Sequence, residues 1–241
     1  MPFYYASFML MAMAVFLTAS WYIPKPAGLL VLPRWKRAVL AAAAFVGGAL
    51  GGKVPFLGTH PLAWFDFQTW VADGKTIVAG LIGAYLAVEL AKWLLEVRVK
   101  TGDTFALPLA LALAIGRWGC YFNGCCYGVE TALPWGAWFR VRTADGYRLV
   151  QCHPTQIYES LFHFSMALVI WQLMQRGWFP GQRLKIYLIA YGVYRFLTEY
   201  IRPEPEWWLG LTFYQWAALT LAAGMLAQWI LEYRQREPRL A

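Results

Sequence analysis

Charge is what this sequence has least of. Lysine, arginine, aspartate and glutamate make up 14% of its 241 residues, against about a quarter in a soluble globular domain. With 60% hydrophobic residues and a mean hydropathy of +0.43, that shortage excludes an ordinary water-soluble domain. An internal repeat and a low-complexity linker are also lacking, and no stretch reads as a separate soluble domain. One membrane domain over residues 1–241 is therefore expected. The first apolar run has no basic leading segment and no Ala-x-Ala cleavage site, so it is expected to remain as a helix. The net charge of +8 fits loops facing anionic lipid, and no nucleic-acid partner is expected. Aromatic residues are plentiful: 14 Trp, 14 Tyr and 15 Phe. Tryptophan and tyrosine favour the membrane–water interface, which accounts for much of that excess.

A membrane-spanning helix needs about 20 mostly apolar residues. The sequence predicts seven, at 3–22, 38–57, 77–96, 105–122, 156–175, 184–202 and 209–231. The fold class is thus an all-α integral membrane protein. Basic residues set its orientation. Lys25, Arg34, Lys36, Arg37, Arg98, Lys100, Arg176, Arg183, Lys185, Arg234, Arg236 and Arg239 fall on one side of a seven-helix arrangement. Lys75, Arg140, Arg142, Arg148 and Arg202 fall on the other. The positive-inside rule puts the N-terminus outside and the C-terminus in the cytoplasm. The longest loop, residues 123–155, then forms an arm that faces outward. Its Leu133, Trp135, Trp138, Phe139 and Val141 suggest a short β-like element at the interface.

The stretch Gly116-Arg117-Trp118-Gly119-Cys120-Tyr121-Phe122-Asn123-Gly124-Cys125-Cys126 ends an apolar run with a charge. An arginine at membrane depth costs a few kcal/mol (about 2.5–3.5) unless it has a partner or a polar cavity. Two readings stay open: a guanidinium that forks onto a lipid phosphate, or a side chain that snorkels from a helix end. Tyr191, Arg195 and Glu199 are spaced four apart and share one helical face. Arg195 and Glu199 either neutralise each other or form a phosphate-binding arginine steered by a carboxylate. His153-Pro154-Thr155 opens the fifth span, since proline suits the first helical turn. Glu159 and His163, also four apart, can share a face. His153, at the outer level of the cysteine stretch, is a candidate proton acceptor. Gly80 and Gly83 allow close approach by a helix or by lipid.

Together these stretches resemble the prolipoprotein diacylglyceryl transferases of bacterial inner membranes. Gly116–Cys125 is similar to the family's Gly-Arg-x-Gly-Asn-Phe-x-Asn-Gly-Glu signature. His153–Glu159 resembles its His-Pro-Ser-Gln-x-Tyr-Glu stretch. Tyr191–Arg202 resembles Tyr-Gly-x-x-Arg-Phe-x-x-Glu-Phe-x-Arg, and Ala79–Gly83 the end of His-Gly-Gly-Leu-Ile-Gly. The resemblance implies transfer of a diacylglyceryl group from phosphatidylglycerol, or a related anionic phospholipid, to the lipobox thiol of a prolipoprotein signal peptide, with release of glycerol phosphate. It implies a multi-pass protein of the bacterial inner membrane and no cofactor. Arg117, Arg195, Tyr191, His153, Cys120 and Cys125 would be catalytic. Arg117, Asn123, Gly80, Glu159, Glu199 and Arg202 would bind lipid, and no metal ligand is assigned. The chain departs from the pattern at Val78, where the family has histidine, and at Cys120 and Cys125, where it has asparagine and glutamate. For the four cysteines three readings stay open. They are a disulfide such as Cys126–Cys152, a metal set drawn from Cys120, Cys125 or Cys126, Cys152 and His153, or a reactive thiolate beside Arg117. A thiol-redox or metal-handling protein on the same scaffold is the alternative function.

Overall fold

A computed structural model describes residues 2–59, 76–143 and 146–235. A helix overlaps each of the seven expected segments without always filling it: α1 (Pro2–Tyr22), α3 (Arg34–Thr59), α4 (Ile77–Leu94), α5 (Asp103–Asn123), α6 (Thr155–Gln175), α7 (Arg183–Thr198) and α8 (Phe213–Arg234). A short helix, α2 (Ala27–Val31), joins the first two. Among the described residues, five stretches are long and apolar enough to cross a membrane: Tyr4–Tyr22, Arg34–Pro55, Ile77–Leu94, Asp103–Asn123 and Thr155–Gln175. The 16-residue α7 is not among them, because it ends at Thr198 and passes into a tighter turn over Glu199–Ile201. Neither is α8. Lys75, Arg236 and Arg239, used to orient the chain, lie outside the described residues.

The chain divides into two compact units. The first holds Met1–Pro24, Thr101–Ala190 and Tyr194–Pro205. Within it α1 lies along α5. A Cβ added at Gly119 would sit 3.0 Å from the Cβ of Phe8, and the Phe8 and Phe122 rings stack at 5.3 Å. α6 is tied to α5 by the Ser160 hydroxyl, which donates to the Ala114 carbonyl at 2.7 Å. Asp103 accepts from the Gly181 and Arg183 amides at 2.6 and 2.9 Å, which fixes the start of α7 to the start of α5.

The expected arm contains a two-stranded hairpin, β1 (Ala137–Thr143) and β2 (Gly146–Cys152). Its register pairs Ala137 with Cys152 and Phe139 with Val150. Alternation then decides the faces. Phe139, Val150 and Cys152 turn inward and pack with Tyr121 and Tyr127, while Trp138, Tyr147 and Leu149 are exposed.

The second unit holds Lys25–Lys100, Tyr191–Val193 and Glu206–Ala241. Its centre is the crossing of α3 and α4, where glycine meets glycine. A Cβ on Gly51 would lie 2.6 Å from the Ala79 carbonyl oxygen and 2.8 Å from the Gly83 Cα. Two backbones in contact gain packing that larger residues forbid. Gly51→Val is expected to cost about 1–3 kcal/mol by overpacking, read as a lowered unfolding midpoint in detergent. An unchanged midpoint would show that the crossing is loose. Tyr85 bonds to Gln228 and Lys100 pairs with Glu232, linking α4 and the segment after it to α8. A second hairpin, β3 (Glu206–Trp208) with β4 (Leu211–Thr212), turns through Leu209 and Gly210, both with positive φ. It delivers Thr212 as the N-cap of α8, in a reciprocal capping box with Gln215.

Candidate functional site

Every residue of the site's core lies in the first unit. α5 ends where Gly124 takes a left-handed conformation (φ 70°). The Gly124 amide donates to the Tyr121 carbonyl, and the Cys125 amide to the Cys120 carbonyl at 3.1 Å. This pair of bonds is a Schellman motif, for which the Asn-Gly dipeptide is the sequence signal. It folds the chain back over the last turn of α5. The start of α6 then grips the returning segment. Gln156 donates from Nε2 to the Cys125 carbonyl at 2.6 Å, and the Thr155 hydroxyl to the Cys126 carbonyl at 2.7 Å. The Gly128 amide donates to the His153 carbonyl, and the Val129 amide to that of Ile201.

Glu159, fully buried on α6, is the hub. Its Oε2 receives Nη2 of Arg117 at 2.5 Å and Nη2 of Arg202 at 2.9 Å. Its Oε1 is 3.7 Å from Nε2 of His163, whose Nδ1 is 2.8 Å from the Tyr187 hydroxyl. One turn of helix separates Arg195 from Glu199, and Nη1 meets Oε2 at 2.6 Å. Arg195 is also near enough to act electrostatically on Glu159. Among these five charged side chains, three arginines face two glutamates. The net charge is positive, and the three arginine side chains are at most 9% exposed.

The expected site residues thus divide. Arg117, Glu159, Arg195, Glu199 and Arg202 come together. Asn123 is exposed at the end of α5. His153 is half-buried, its Nδ1 3.3 Å from the Tyr158 hydroxyl. Tyr191 is fully buried and belongs to the second unit, as does Gly80, which faces the Gly48 carbonyl and Gly52 across the helix crossing. The hub role of Glu159 was not visible in the sequence, which paired it with His163 alone.

The cysteines sort into two groups. All four are free thiols. Those of Cys120, Cys125 and Cys126 lie within 4.8 Å of one another, and Nη1 of Arg117 is 3.8 Å from the Cys120 sulfur. Hydrogen bonds from the Cys120 and Cys125 thiols, then the charges of Arg117 and Arg202, hold Cys126 well below the usual thiol range. Cys152 is instead buried against Phe139 and Val150. Burial, then the Glu130 carboxylate, pushes its thiol up. The thiolate is the nucleophile. Iodoacetamide at neutral pH is therefore expected to modify exposed Cys126 first and Cys152 last. Cys152 should gain reactivity only as the pH rises above the ordinary thiol range. Peptide mass spectrometry over time checks the order; early labelling of Cys152 would contradict it.

Five helices of spanning length among the described residues, and an ionic cluster held on α5, α6 and the end of α7, define a multi-pass, mostly helical membrane protein. The chain belongs to the prolipoprotein diacylglyceryl transferase family, whose profile matches residues 3–231, and so to a family of transferases. A phosphatidylglycerol–prolipoprotein diacylglyceryl transferase of Clostridium tetani is 32% identical over 174 residues, 69% of this chain and 68% of the relative. A second, of Streptomyces coelicolor, is 32% identical over 195 residues, 75% of this chain and 61% of the relative. A third, of Clostridium perfringens, is 31% identical over 176 residues, 69% of this chain and 66% of the relative.

Proposed function

We propose that this chain transfers a diacylglyceryl group from phosphatidylglycerol, or a related anionic phospholipid, to a thiol acceptor and releases glycerol phosphate. The observation that carries the reading is the arginine excess around Glu159. A thiolate attacking a glycerol carbon expels a phosphate ester, and negative charge grows on the leaving oxygen. Preorganised donors aimed at that charge lower the barrier most where water is excluded. Arg117 and Arg195 clamp the phosphate, and Arg202 adds a third charge. Glu159 and Glu199 hold the guanidiniums in place between turnovers. Asn123 shapes the headgroup site. His153 serves at the outer level as a proton acceptor, and Cys120 and Cys125 line the reaction zone.

The same reading takes α7 and α8 as the sixth and seventh spans. It takes the N-terminus as outside, the tail as cytoplasmic and residues 123–155 as a periplasmic arm of one domain in the bacterial inner membrane. The positive-inside count supports that orientation. The acceptor is the lipobox cysteine of a prolipoprotein, or a different thiol, since Val78, Cys120 and Cys125 depart from the family's pattern. Purified protein with phosphatidylglycerol and a lipobox peptide should give the diacylglyceryl mass gain. No gain, under conditions where a relative such as that of Clostridium tetani gives one, would falsify the assigned reaction.

A further inference from the structure

The three-sulfur cluster lines the reaction zone without a chemical step of its own so far. Its sulfurs, all within 4.8 Å of one another, are close to metal-ligand spacing. Sulfurs around one tetrahedral metal at about 2.3 Å stand roughly 3.8 Å apart. The Schellman turn brings Cys125 back to the last turn of α5, its amide and its thiol both bonding to the Cys120 carbonyl. The donor set is all sulfur. His153 lies against Tyr158 and His163 against Tyr187, on contacts of their own. Thiolates select soft d10 cations over hard ones. Three protein ligands with one open position is the pattern of reactive rather than structural zinc sites. Cys126 is exposed, so the cluster is within reach of an incoming ligand. Three thiolates on a divalent ion leave one negative charge, and Arg117, at 3.8 Å from the Cys120 sulfur, stands where it offsets that charge.

We infer that Cys120, Cys125 and Cys126 bind one zinc-like d10 ion, and that its fourth position takes the thiolate of the acceptor cysteine. The identity of that fourth ligand rests on the transfer reading; the metal site does not. On binding, the acceptor thiol gives its proton to solvent, since a coordinated thiol is deprotonated outright. The sulfur's electron pair forms the new bond to the glycerol carbon. The bond from that carbon to the phosphate oxygen breaks, and glycerol phosphate leaves with the electrons, towards the arginines.

Cobalt(II) is the probe, titrated into reduced full-length protein in detergent without phospholipid. One equivalent should bind and give a sulfur-to-cobalt charge-transfer band. A cysteine-containing lipobox peptide should raise the band by about one third, as a fourth sulfur joins three, and a serine version should leave it unchanged. Cys126→Ser should weaken cobalt binding at least about tenfold, while Cys152→Ala keeps it. Elution volume and unfolding midpoint of each variant check that it is folded. Absence of the band, or a band that persists in the triple variant C120S/C125S/C126S, overturns the metal site. A band indifferent to the peptide overturns the acceptor role. Mass gain in the lipid assay, read separately, tells failure of this inference from failure of the transfer reading.

Discussion

Glu159→Ala should destabilise the protein by about 3–5 kcal/mol, the cost of breaking a buried ion pair from one side. Glu159 has no exposed surface, and one of its oxygens takes a guanidinium from each of two arginines, at 2.5 and 2.9 Å. Removing the carboxylate leaves Arg117 and Arg202 facing each other with the charge between them gone. The substitution also takes a partner from His163. Glu159→Gln keeps the volume but not the charge, so it should fall between alanine and wild type. Unfolding in detergent followed by intrinsic fluorescence measures both. If Glu159→Ala unfolds with wild type, Glu159 is not what balances the arginines.

Arg117→Lys should slow diacylglyceryl transfer by about 10²–10³-fold, the loss typical when one charge-stabilising donor is removed from a reaction site. The fold should hold, because lysine still supplies a positive charge to Glu159. What is lost is geometry. A guanidinium presents a rigid fork that meets a carboxylate and a phosphate at once, whereas an ammonium is a compact point charge. Nη2 of Arg117 is engaged by Glu159, while Nη1 lies beside the Cys120 sulfur. One side chain therefore joins the carboxylate to the thiol cluster. The initial rate of mass gain on a lipobox peptide, with the unfolding midpoint as control, reads this. A wild-type rate from a folded Arg117→Lys protein would remove Arg117 from the chemistry.

The helices were legible because their apolar runs are long and their flanks polar; even α7, cut short by the turn at Glu199, begins within a residue of the expected start. The hairpin was legible from its aromatic and branched residues. The Arg195–Glu199 pair was legible too, since a spacing of four fixes the neighbours on a helix. The partner of Arg117 was not. Glu159 lies 42 positions further on, in another helix, and only packing of α5 against α6 brings them together. The pairing of Arg202 with Glu159 was hidden for a related reason: Arg202 follows the helix, and the turn over Glu199–Ile201 redirects it. Among the cysteines, sequence proximity suggested that Cys152 and His153 could share a site with the motif. The strand's alternation sends Cys152 inward against Phe139, and the Schellman turn gathers the other three without it.

Gly128 carries a consequence for how this family could diversify here. A side chain there would meet the Ile201 carbonyl at 2.5 Å, the His153 Cβ at 2.8 Å and the Thr155 methyl at 2.9 Å. The chain around Gly128, the His153–Thr155 segment and Ile201 are thus knotted at one atom's width. Next to it, Val129 and Glu130 are exposed. Descendants of this sequence are free to drift at those two positions and to remodel the arm's outer face. They keep glycine at 128 unless all three strands of the knot change at once, which makes that residue an evolutionary anchor for the loop that bears the sulfurs.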